Sequence, residues 1–115
     1  MSTPEALEAL VTQLTQELGQ VQKTAQYGLD ITRQKLSTSP DNPELTQLFA
    51  IFNNVSFFTE NYKARIQTTV RAASETNLQS EQLQDAGQGL ATLLGVVVEA
   101  KLLVENSVRR LDKLP

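Results

Sequence analysis

Cysteine and histidine are both absent from the 115 residues of this chain. Their absence excludes disulfide scaffolds, zinc fingers, histidine-containing catalytic triads, histidine phosphorelays and Glu-x-x-His di-iron bundles, because the atoms such chemistry needs are missing. A surplus of positive charge is lacking too: 10 Lys and Arg face 13 Asp and Glu, for a net charge of -3 and a pI near 4.9. A general nucleic-acid binder needs that surplus to displace counterions, so no nucleic acid is expected as a partner. Met1 is followed by Ser, Thr, Pro and Glu in place of a basic and then an apolar segment, which points to the cytoplasm. The length of 115 residues suits one domain with a modest core.

What the chain does have is a concentrated apolar stretch from Gly89 to Val104, GLATLLGVVVEAKLLV. At about 100° per residue, Leu90, Leu94, Val97, Val104 and Val108 form one stripe, and Ala91, Gly95, Val98 and Leu102 form a second. Val96 and Leu103 point elsewhere again. A helix apolar on several sides needs neighbours on several sides, either other helices or membrane. At about 16 residues, interrupted by Glu99 and Lys101, the stretch is short of the roughly 20 that span a bilayer. The expectation is the central helix of a soluble assembly and not a membrane span.

Two more helices precede it. Ser2 or Thr3 can cap the first, with Pro4 in its first turn and Glu5 at the positive end of the dipole. Leu7, Val11, Leu14, Leu18, Val21, Ala25 and Gly28 then recur in steps of four and three, a heptad seam. The segment Ser37 to Pro43, STSPDNP, breaks it, since Ser, Asp and Asn compete for backbone hydrogen bonds and Pro cannot continue a helix. Asp41, three residues before Glu44, makes a capping box for a second helix. Its seam is Leu45, Leu48, Phe52, Val55, Tyr62, Ile66, Val70 and Ala73, widened by Ile51 and Phe58. Between Glu75 and Glu81 neither Gly nor Pro forces a stop, but Asn77 tolerates a helix end and Ser80 can cap the next start, which places a turn near Asn77 to Gln79. The third helix ends near Leu111, where Arg109, Arg110 and Lys113 suit the negative end of its dipole. The predicted fold is all-α: three long antiparallel helices over about 3–36, 42–76 and 80–112, an up-down-up bundle with coiled-coil-like seams, one domain over 1–115, completed by homo-oligomerisation.

Few side chains suggest chemistry. Glu5 with Glu8, and Glu81 with Asp85, share helix faces, but both pairs stand at helix starts, where the dipole favours acids without any metal. Lys101 falls near the main apolar stripe of the third helix, where a desolvated amine could act as a Schiff-base nucleophile. With no second catalytic group beside it, a structural role is preferred: the stem across the core edge, the ammonium in water or paired with Glu105 at i+4. Lys63, Arg65 and Arg71 point in different directions and form no basic stripe. No catalytic residue, cofactor or metal ligand is assigned, and no enzyme activity is expected.

Two features bear on interaction instead. Gly87, Ala91 and Gly95 recur every four residues, the small-residue pattern that lets a helix of the same chain or another approach closely. Phe57 departs from the core spacing kept by Phe49, Phe52, Phe58 and Tyr62. It stands about 180° from Leu48 among Thr46, Ala50, Asn53, Asn61, Ala64 and Thr68, on a face without a charge over some six turns. A face turned to bulk water usually carries Lys or Glu, so this one is expected to be covered. The candidate interface is therefore Phe57, Ala50, Asn53, Asn61 and Ala64 on the second helix with Gly87, Ala91, Gly95, Val98, Leu102 and Leu103 on the third.

The expected function is that of a non-enzymatic oligomeric adaptor, scaffold or regulatory module, with itself and a further protein as partners. In being Cys-free, amphipathic and helical, the chain resembles in character the phasins, the small helical coat proteins of polyester granules, without a shared motif. The resemblance implies binding at a lipid or granule surface. The polar faces carry Gln, Thr and Glu in place of the Lys and Arg of helices that bind anionic membranes, which favours protein partners.

Overall fold

A computed structural model of the chain describes residues 5–75 and 80–115. Among them run three helices, α1 (Glu5–Thr38), α2 (Pro43–Glu75) and α3 (Ser80–Asp112). The end of α1, the start of α2 and both ends of α3 fall within two residues of where the sequence spacing puts them. The predicted start of the first helix with its cap at Ser2 or Thr3 and Pro4 in its first turn, the predicted end of the second at residue 76, the turn at Asn77 to Gln79 and the Ser80 side-chain cap lie outside the described residues.

Local chemistry explains the first break. The Ser37 hydroxyl donates to the Gln34 carbonyl and the Thr38 hydroxyl to that of Lys35, so side chains satisfy the last turn of α1 before Pro40. Pro43 opens α2 at a position where its missing N–H is no loss. The cap is Asn42: its Oδ1 accepts from the amides of Glu44 and Leu45 at 3.0 and 3.2 Å. That corrects the predicted Asp41–Glu44 box, because with Pro43 as the first helical residue the cap must be the residue just before it.

Contacts between helices give the topology. Leu7 reaches Gly87 near one end and Lys35 reaches Leu111 at the other, so α1 and α3 run parallel. Gln22 meets Glu60 and Gly28 meets Phe52, so α2 runs the opposite way between them in sequence. The result is an up-down-up rod of 57 × 19 × 16 Å, about as long as one of its helices at roughly 1.5 Å per residue.

The core lies along the α1 seam. Leu7, Leu14, Leu18, Val21, Ala25 and Leu29 are buried there against Leu45, Leu48, Phe52 and Val55 of α2 and against Leu90, Leu93, Val97 and Val104 of α3. α1 packs along both neighbours, whereas α2 and α3 touch each other less. Within the single chain α1 is thus the helix packed along both others; the expectation that α3 is central concerns the assembly and not the single chain. The apolar arc of α1 fits between two neighbours, while that of α3 is wider than two neighbours can cover. Two details complete the seam. Thr59 occupies the α2 position between Val55 and Tyr62, buried with its hydroxyl donating to the Ser56 carbonyl at 2.7 Å. Gly28 is where α1 and α2 approach most demandingly, since a Cβ there would run into the buried Phe52 ring.

Candidate interaction surfaces

Polar contacts between helices mark which side of α3 faces its neighbours. At its C-terminal end, Lys35 of α1 donates to the carbonyls of Leu111 and Leu114 at 2.8 and 2.6 Å, a cation where the helix dipole favours one. Arg110 pairs with Glu44 of α2 at 3.2 Å. Further along, Lys101 Nζ lies 3.2 Å from Glu17 Oε2 of α1, both side chains partly buried. The predicted partner Glu105 is therefore corrected to Glu17: the stem does cross the core edge, but it runs towards the seam with α1, where a carboxylate is waiting. This pair, and the Lys35 clasp, could not be found by counting along one helix. They depend on α1 and α3 running parallel at a fixed offset.

With Lys101 held against α1, the stripe of Leu90, Val97 and Val104 enters the core and the second stripe is turned away from it. Ala91 and Gly95 are exposed, as are Val98 (41%), Leu102 (56%) and Leu103 (47%). A Cβ on Gly95 would meet nothing within 4 Å, and Gly87 has only Leu7 Cδ1 nearby, at 3.7 Å. The close helix crossing predicted for these small residues is not made inside the chain, because α1 lies beside the main stripe and leaves the second one open. By length and composition alone α3 passes the test for a membrane span, with an 18-residue window of mean hydropathy 1.5, a test that core helices of soluble proteins pass as well. Only 22% of that window is buried.

The outer face of α2 is open as well. Phe57 is 71% exposed, and Ala50, Asn53, Asn61 and Ala64 share its exposure. Thr46 and Thr68 donate their hydroxyls to the carbonyls of Asn42 and Ala64 one turn back, which spends their polarity within the helix and leaves their methyl groups to the surface. The structure does not bring the two predicted sets together as one surface: the α2 set and Ala91, Gly95, Val98 and Leu102 of the α3 set are each exposed on their own helix, while Gly87 is half-buried beside Leu7 and Leu103 lies towards α2. Between these faces, Ile51, Val55 and Phe58 of α2 face Val96, Ala100 and Leu103 of α3 across an open groove of about 420 Å³. Phe58 leans on Tyr62 there, with ring centroids 4.1 Å apart. The sequence reading placed Leu103 on the interface but missed this groove, which arises from how little α2 and α3 touch.

These surfaces offer apolar and amide contacts, and their side chains supply no paired nucleophile and base. Among the described residues no three potential ligands come together around a metal position. The chain exposes 7235 Å², where a compact monomer of its mass exposes roughly 6,200 Å². No family model matches the chain, and no curated protein or solved structure matches it.

Proposed function

We propose that this chain is a non-enzymatic helical-bundle protein that associates with itself and serves as an adaptor, scaffold or regulatory module for another protein. The observation that carries this reading is the exposure of Val98, Leu102 and Leu103 on a helix whose apolar window is only 22% buried. An apolar surface of this kind on a soluble chain marks a contact site. The Lys101–Glu17 pair fits the same reading, since it lies at the seam with α1 beside the buried stripe of α3 and leaves Leu102 and Leu103 uncovered. Introducing charge by Val98→Lys with Leu102→Lys tests it. The double variant is expected to keep its helix content and to form a smaller particle than the parent chain. An unchanged particle would overturn the assignment of this face to association.

A second reading is kept because of one observation: α3 is both long and apolar enough for a membrane and largely uncovered. On that reading the chain coats a lipid or polyester surface with α3 against it. Flotation with neutral vesicles and with a triglyceride emulsion separates the two. The adaptor reading predicts protein at the bottom of the gradient in both cases, and the coat reading predicts protein that rises with the lipid.

A further inference from the structure

The outer face of α2 reads the same from either end. Phe57 is its centre. Asn53 and Asn61 stand four residues away on each side, Ala50 and Ala64 seven, and Thr46 and Thr68 eleven. All of them are exposed in the single chain. Resting on the self-association reading, we propose that a second copy of this chain covers the face, its α2 running antiparallel to the first about a two-fold axis at Phe57.

In such a pair residue i meets residue j and j meets i. Here that sets Asn against Asn, Ala against Ala and Thr against Thr on both sides of a Phe57–Phe57 contact. Like layers matter physically. Each Asn amide both donates and accepts, so Asn53 of one copy and Asn61 of the other can satisfy each other. The small Ala50 and Ala64 flank the bulky centre at equal distances, so the separation of the helices is the same on either side of it. Thr46 and Thr68 meet the partner with methyl groups because their hydroxyls are already bonded to their own helix, which lowers the desolvation cost of covering them.

Charge gives the direction independently. From Leu45 to Thr59 α2 carries no charge, whereas Glu60, Arg65 and Arg71 flank the face in its second half. A parallel pair in register sets each of these beside its own copy, like charge on like. An antiparallel pair centred on Phe57 lays the charged half of one helix along the uncharged half of the other. It also opposes the two helix dipoles.

The absence of cysteine makes the arrangement directly readable, because one introduced thiol reports one contact. Ala50 and Ala64 lie about 21 Å apart along one helix, while a disulfide needs Cα atoms within about 7 Å. Ala50→Cys protein and Ala64→Cys protein, each oxidised alone, are expected to stay uncrosslinked, and a mixture of the two to give a disulfide-linked heterodimer. Phe57→Glu, without any thiol, is expected to lower the particle mass while the chain remains helical by circular dichroism. Cross-linking of either Cys variant with itself would mean parallel helices and overturn the geometry. No cross-link in the mixture, with the parent chain still oligomeric by light scattering, would overturn the α2 contact and leave self-association standing. A parent chain of single-chain mass would overturn both.

Discussion

α1 and α3 are almost equal in length, 34 and 33 residues, and each repeats apolar residues at helical spacing, yet they end in opposite conditions. α1 buries Leu7, Leu14, Leu18, Val21, Ala25, Gly28, Leu29 and Thr32 along one stripe, and its one large apolar side chain left exposed is Tyr27 at 49%. α3 buries a comparable stripe and still shows Val98, Leu102 and Leu103 to the outside. The difference is the width of the apolar arc measured against the number of neighbours. Two helices packed side by side cover one arc of a third and no more. α1 has no more apolar surface than that, and α3 has a second stripe to spare. Their glycines repeat the contrast, with Gly28 pressed on Phe52 and Gly95 facing open space.

Substitutions on the covered and the open side test this difference. The largest effect is expected from Leu14→Ala on the covered side, a fully buried residue whose loss leaves a cavity worth about 2–5 kcal/mol. Urea unfolding measures it, and a loss no larger than that of a surface substitution would mean the α1 seam is not the core. Next comes Gly28→Ala, where a new Cβ meets a Phe52 ring that is itself fully buried. Overpacking of this kind costs about 1–3 kcal/mol, visible as a lowered melting temperature.

Lys101→Met should have a smaller effect, about 1 kcal/mol of destabilisation, because the pair is only partly buried and the cost lies in stranding Glu17. Adding Glu17→Met should restore what the single change lost. A single variant as stable as the parent would show that the pair does not contribute to stability. The smallest change carries the opposite sign. Gly95→Ala, the same substitution as at Gly28, is expected to raise stability by about 0.5–1 kcal/mol, since in one chain nothing stands near the new methyl and Gly is a poor helix former. Thermal unfolding at low concentration tests it. A loss at Gly95 would place a close neighbour on that face.

The sequence reading succeeded where a rule acts along one helix and stopped where a rule acts between helices. The α1 seam from Leu7 to Gly28 and the α2 seam from Leu45 to Ala73 are legible because burial recurs every three or four residues. Phe57 is legible for the same reason, as an aromatic off that spacing. Thr59 was passed over because a hydroxyl looks polar until it is seen to bond Ser56. The partner of Lys101, the Lys35 clasp and the groove under Leu103 all depend on the offset and separation of helices, and periodicity within one helix carries neither. The breadth of the apolar surface on α3 was plain in the sequence, but how much of it the two other helices of the chain cover was not, because an arc that needs covering does not say who covers it.

The central claim is that the open apolar side of α3 and the open face of α2 are contact surfaces, covered in the working protein by further copies. The most direct test is the absolute mass of the parent chain in solution, by light scattering on a size-exclusion column over a range of loading concentrations. The predicted result is a particle of at least twice the single-chain 12.7 kDa. A mass of 12.7 kDa that holds at every concentration would contradict the claim and leave Leu102 and Phe57 as surface with no partner in this chain.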